Sequence, residues 1–244
     1  MYKLTMVFSL AAVRLLGQVC VLSPDMQGGS QYNQPQPLVA NYLGQNVPVA
    51  WPRSAEVYYV EFEGTYNGYY TYFPSDYGTS AATAYSNWEG ASSQDNSLLT
   101  FSYYGVTDQG LNSVSSQANP DFQPWHQWTV VNQSDLPSGS TLAVTSWAFE
   151  NYGSNQQPVW RIGTAYTRVT NAMSQSGDSQ NWEAHTFAHE LGHTMALSDC
   201  MLCAGGPGGT VMAYLSSFLD HSSLPISGPQ YCDLVQTQQT AYPY

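Results

Sequence analysis

Positive charge is almost missing from this sequence. Lysine occurs once, at Lys3, and beyond Arg14 the only cations are Arg53, Arg161 and Arg168, set against 17 acidic residues and a formal net charge of -12. Nucleic acid is bound through clustered lysine and arginine, so this composition argues against it as a partner. Charged residues of either sign are scarce too, at 9% of the 244 residues. There is no internal repeat and no D-x-D-x-D-G loop, so calcium is compatible with the acidic surface but nothing demands it. Of the 4 cysteines, Cys20 falls in the N-terminal apolar stretch. The other three, Cys200, Cys203 and Cys232, allow one disulfide and one leftover thiol, with all three pairings open.

Long apolar runs are confined to the start. Met1-Tyr2-Lys3 is followed by a largely apolar stretch from Leu4 to Leu22, which fits a secretion signal over residues 1–23 better than a membrane span. Residues 24–52 are rich in Gln, Asn, Gly and Pro and read as a flexible arm or short pro-segment. Residues 53–244, about 190 of them, suffice for one compact core.

Within that core the patterning alternates between strand and helix. Glu56–Phe62 reads as a strand, Ser80–Glu89 as a helix, and Leu98–Tyr103, Thr141–Phe149 and Val159–Val169 as further strands. The tyrosine-rich run 66–77 reads as a solvent-facing hairpin, and a closing helix follows Pro229 through Leu234 and Val235. The class is α+β.

What the sequence does have is His189-Glu190-Leu191-Gly192-His193. On a helix the two histidines lie one turn apart on one face, a rise of roughly 6 Å, so both imidazoles reach a single metal ion. Glu190 is rotated by about 100° from the first, which sets its carboxylate beside the metal as a general base instead of a ligand. Such a string also arises on solvated surface helices. Here only 5 histidines are present, and Phe187, Ala188, Leu191 and Met195 give a helix over about 179–197 a core-facing side.

Catalytic zinc takes three protein groups, and the third must come from elsewhere. Glu190 is the last glutamate, leaving Asp199, Asp220 and Asp233 downstream. His185 is one turn before His189, but three histidines at that spacing span about 12 Å, too far for one ion. It is expected to line the cleft, support a ligand or be solvated. His126, in Pro124-Trp125-His126-Gln127-Trp128, is expected to pack within an aromatic loop, and His221 is the reserve ligand.

Asp199 lies ten residues after His189. In this the sequence resembles the metzincin metalloproteases, with their pattern H-E-x-x-H-x-x-G-x-x-H/D, and in particular the matrixin and snapalysin-like members. Gly209-Thr210-Val211-Met212-Ala213-Tyr214 is similar to the clan's Met-turn, and Tyr214 matches the tyrosine that astacin-like and serralysin-like members place beside the metal. One position departs: Ala196 stands where the pattern has glycine, in a turn whose left-handed conformation costs alanine about 1 to 2 kcal/mol.

The resemblance implies a zincin-like catalytic domain, with a twisted mixed sheet, an active-site helix and an irregular C-terminal subdomain. It implies one zinc held by His189, His193 and Asp199, with Glu190 and Tyr214 as catalytic groups. The expected activity is that of a secreted, monomeric endopeptidase acting on proteins or peptides through a zinc-activated water, free of membrane contact apart from the N-terminal segment. Two other readings share these residues. An inactive zincin fold would serve for binding or adhesion but has no chemical use for Glu190, and a zinc hydrolase of small amides or esters would need a closed pocket.

Overall fold

The structure is a computed structural model and describes residues 35–110, 121–138, 141–173, 179–200, 203, 210–213 and 226–243. Its centre is a five-stranded mixed sheet. In chain order these strands are β3 (Glu56–Phe62), β6 (Thr100–Thr107), β7 (Trp125–Val131), β8 (Ala143–Asn151) and β9 (Trp160–Thr170). They lie side by side as β6-β3-β7-β9-β8, all parallel except β8, which runs antiparallel along one edge.

Two helices cover one face. Helix α1 (Ser75–Ala91) buries Tyr77, Ala81, Ala84, Tyr85 and Trp88, and α2 (Ser179–His193) buries Phe187, Ala188 and Leu191. Aromatic rings fill the layer between helices and sheet: Tyr59 stacks on Tyr85 with centroids 3.9 Å apart, and Phe187 meets Trp128 edge-on at 4.7 Å. A third helix, α3 (Tyr231–Thr240), follows Pro229 as its sequence suggests.

Four elements differ from expectation. Strand β7 was hidden because Trp125–Val131 is buried on almost every residue, so it shows no alternation; His126 belongs to this central strand and not to a loop. Helix α1 begins at Ser75, not Ser80, because Asp76 and Tyr77 already form its first turn. The tyrosine-rich hairpin is correspondingly shorter: β4 (Gly64–Tyr66) and β5 (Tyr69–Thr71), joined at Asn67-Gly68, both with positive φ as a two-residue hairpin turn requires.

The largest correction concerns residues 35–52, part of the segment read as a mobile arm. They form a second hairpin, β1 (Val39–Tyr42) with β2 (Gln45–Pro48), and they bury Val47, Val49, Ala50 and Trp51. A few apolar side chains inside a polar composition are enough to anchor it. Ala50 is bridged to Met195 and Pro37 to Leu197, while the Ile162 N–H donates to the Ala50 carbonyl at 2.8 Å. The arm is therefore tied both to β9 and to the chain just after α2.

The leftover thiol expected from the cysteine count is not found among the described residues. Cys200 and Cys203 are bridged, with Cα atoms 5.4 Å apart, and Cys232 is disulfide-bonded as well. Among the described residues no helix is long and apolar enough to cross a membrane.

Candidate metal centre

Helix α2 meets the core through Phe187, Ala188 and Leu191, and the Ala188 carbonyl accepts the Trp88 indole N–H at 3.0 Å. That fixes its rotation, so His185, His189, Glu190 and His193 face a cavity of about 540 Å³ beside the edge strand β8. Leu142, Ala143, Val144, Thr145 and Trp147 form the opposite wall, and Ser198, Asp199 and Ala213 close the floor.

Both candidate ligand imidazoles are held by the backbone. His189 Nδ1 donates to the Val211 carbonyl at 3.0 Å, and His193 Nδ1 donates to the Leu197 carbonyl at 2.9 Å. These bonds orient each ring and leave Nε2 pointing into the site, the arrangement in which a metal-binding histidine is normally supported.

Asp199 lies between them. Its Oδ1 is 2.9 Å from His189 Nε2 and 3.6 Å from His193 Nε2. Ligand atoms around a tetrahedral zinc stand about 3.4 Å apart, given bonds of about 2.1 Å, and the two distances bracket that value. The donor set therefore fits a zinc-sized ion. Burial alone would lower the basicity of His189, but the bond to Asp199 and the negative charges of Glu190 and Asp199 outweigh it and raise its pKa. Burial works the other way on Asp199, yet the bond from His189 and the charges of His193 and His189 hold its pKa below the usual carboxylate value.

The chain reaches Asp199 through a turn that needs a left-handed residue, and Ala196 supplies it at φ 64°. The Leu197 N–H returns to the Gly192 carbonyl at 3.1 Å, the bond that ends many helices after such a residue. The strained alanine is held from outside by the arm: its N–H donates to the Val49 carbonyl at 2.8 Å, and its carbonyl accepts the Leu38 N–H at 2.7 Å. One residue before Asp199, the Ser198 N–H donates to the Gln36 carbonyl at 2.9 Å. Sequence reasoning missed this clamp because no local signal links residues 36–49 to residue 196.

Glu190 is 5% exposed, and its Oε2 accepts the Thr145 hydroxyl at 2.5 Å. Its carboxylate belongs to the same cluster: ligand atoms of His189, Glu190 and His193 lie within 4.8 Å of one another. Asp199 thus presents Oδ1 to both Nε2 atoms, while Oε2 of Glu190 is engaged by Thr145 of β8.

Under the helix, the Thr210–Ala213 segment buries Met212 completely and turns tightly, with the Ala213 N–H facing the Thr210 carbonyl at 3.4 Å. Asp233, at the start of α3, organises it by accepting the Thr210 hydroxyl and the Val211 N–H, and so it fixes the carbonyl that steers His189. His185 is buried against the cavity, its Nδ1 donating to the Ile226 carbonyl at 2.7 Å; burial first, then the neighbouring His189, lower its pKa to about 3. It lines the site and is not solvated. Tyr214, Asp220 and His221 lie outside the described residues.

Neither a protein-family model nor a curated protein matches this sequence. Among solved structures, the chain is similar to metalloproteinase-II from Bacteroides fragilis. The two share 13% identity at a TM-score of 0.37, over 90% of this chain and 60% of that one, so this chain spans less than two thirds of its length. Likeness of this degree carries no argument about activity, and the chemistry has to be read from the site.

Proposed function

We propose that the protein is a secreted, zinc-dependent endopeptidase of the metzincin type. One observation supports this above others: Nε2 of His189, Nε2 of His193 and Oδ1 of Asp199 converge, with Glu190 alongside, in a cavity walled by the sheet's edge strand.

On this reading His189, His193 and Asp199 hold the metal. Bound zinc would supply Lewis-acid polarisation of a peptide carbonyl and make water acidic enough to lose a proton near neutral pH. Glu190 takes that proton as the new C–O bond forms and delivers it to the amine nitrogen as the C–N bond breaks. Tyr214, from the resemblance, donates to the developing oxyanion. The Thr210–Ala213 segment is the Met-turn, with Met212 as its methionine. Among the described residues β8 pairs only with β9, so its outer side can add an extended substrate strand through the backbone, which suits protein and peptide substrates.

On this reading 53–244 are the catalytic domain, to which 35–52 contribute structure. The Cys200–Cys203 bridge is in keeping with an oxidising, extracellular setting. The experiment is to incubate the purified protein with casein, with and without a chelator, and to measure bound metal. We expect about one zinc per chain and cleavage abolished by chelation and restored by zinc. A folded protein that binds no metal, or one that holds zinc and cuts nothing, would overturn the reading.

A further inference from the structure

Glu190 is the end of a hydrogen-bonded chain that crosses the interior of the protein. The Trp128 indole N–H donates to the Tyr85 hydroxyl at 2.7 Å, and that hydroxyl lies 2.8 Å from His126 Nδ1. His126 Nε2 is 2.7 Å from Thr167 Oγ1, Thr167 Oγ1 is 2.8 Å from Thr145 Oγ1, and Thr145 donates to Oε2 of Glu190. The links come in turn from β7, α1, β7, β9, β8 and α2, and every member is buried.

The direction of this chain follows from its two ends. An indole can only donate, and an ionised carboxylate can only accept. Were His126 Nδ1 to donate to Tyr85, the phenol oxygen would accept twice and, among the described residues, its own proton would face no acceptor in a buried site. Tyr85 therefore donates to Nδ1. Burial keeps His126 neutral by lowering its pKa to about 3, so its single ring proton sits on Nε2 and points to Thr167. Thr167 then donates to Thr145, and Thr145 to Glu190.

The layer between sheet and helices could be filled by apolar side chains of the same shape at little cost, whereas each buried polar group left unpaired is destabilising. Packing gives no reason for a histidine and two threonines in line there. Their alignment has one specific product: a single donor delivered to one oxygen of Glu190. Among the described residues no group donates to Oε1, which is the oxygen left to meet a water.

We infer that Thr145, Thr167 and His126 are positioning residues that fix the Glu190 carboxylate, engaging Oε2 so that Oε1 is presented to the cavity. This rests on Glu190 being the general base. Losing the bond to the charged carboxylate, or losing the Thr167 donor that holds the Thr145 hydroxyl towards Oε2, should lower kcat by up to about a hundred-fold.

The test uses the full zinc-loaded chain with a peptide substrate. Thr167→Val, which keeps shape and lies outside the cavity, should lose that factor in kcat with KM and bound zinc unchanged; Thr167→Ser, which keeps the hydroxyl, should return to within about threefold. Nitrogen NMR should show His126 in its Nε2–H tautomer, and carboxyl carbon NMR should show the Glu190 signal moving in Thr167→Val but not in Thr167→Ser. Should Thr167→Val fail to fold, Thr145→Val and Thr145→Ser carry the same expectations for kcat and bound zinc, with KM set aside because Thr145 lines the cavity. An unchanged kcat in a folded, zinc-loaded valine variant, or an Nδ1–H tautomer of His126, overturns the inference. If the wild type cleaves nothing, the peptidase reading fails instead, and the two NMR signals still decide whether the chain of donors reaches Glu190.

Discussion

Gly192 and Met212 are packed so closely that a Cβ added to the glycine would lie 2.1 Å from the methionine Sδ. Met212 is completely buried there and has little room to retreat. Gly192→Ala should therefore destabilise the protein by about 1 to 3 kcal/mol through overpacking, more than the roughly 1 kcal/mol that alanine gains over glycine within a helix. A thermal melt should show a Tm lower by several degrees, and adding Met212→Ala should return part of the loss. A higher Tm for Gly192→Ala alone would show that the contact is looser than described.

Glu190→Gln should keep its zinc while losing several orders of magnitude in turnover, since the carboxylate is assigned to moving a proton and not to binding metal. Metal analysis and peptide kinetics on the same preparation check both halves. Loss of zinc in this variant would mean that Glu190 is a ligand.

Asp199→Ala should weaken zinc binding and abolish cleavage, because it removes the oxygen set between the two Nε2 atoms. Asp220→Ala and His221→Ala should leave both nearly intact. Zinc competition titrations compare the three directly, and a His221 variant that loses its metal while the Asp199 variant keeps it would move the third ligand to the tail.

Ala196→Gly should raise stability. Relief of the left-handed alanine is worth about 1 to 2 kcal/mol, and the extra freedom of glycine in the unfolded chain returns about 0.5 to 1. The net gain of up to about 1.5 kcal/mol corresponds to a Tm rise of a few degrees in a protein of this size. No gain would indicate that the turn does not pass through positive φ in solution.

Asp95 gives the protein a pH signature. Burial raises its pKa from 3.8 to about 6, against the lowering effect of its bonds with Ser97, and its Oδ2 has no hydrogen-bond partner. The folded state thus holds the proton more tightly than the unfolded state. Its contribution is fully present below about pH 4 and is lost as pH rises through about 6. Between about pH 7 and about pH 5 the wild type should gain about 1 kcal/mol relative to Asp95→Asn, which cannot titrate. Denaturant melts of both proteins across that range read the difference, and parallel curves would refute it.

The helix that carries His189, Glu190 and His193, and the approach of Asp199 to the two histidines, were legible because each is set by spacing along one segment. Helical periodicity also exposed the core face through Phe187, Ala188 and Leu191. The central strand was not legible, since Trp125–Val131 is buried on both faces and lacks the alternation that marks a half-exposed strand. Thr145 was invisible as a partner of Glu190 for another reason: a threonine at a strand position looks like ordinary β-propensity until the register brings it under α2.

The clamp between the arm and the ligand turn has a consequence for biogenesis. Gln36 and Ser198 are 162 residues apart in sequence, so their contact closes one of the longest loops in the chain. A contact of that span forms late, because the entropy of closing the loop is lost before any favourable interaction is gained. The hairpin is synthesised well before α2, so the contacts of 36–49 with 196–198 that hold the Asp199 turn can form only once the chain beyond α2 has been made. On the proposed reading a metal would therefore be acquired by an essentially finished protein and would not serve as the nucleus around which the chain folds.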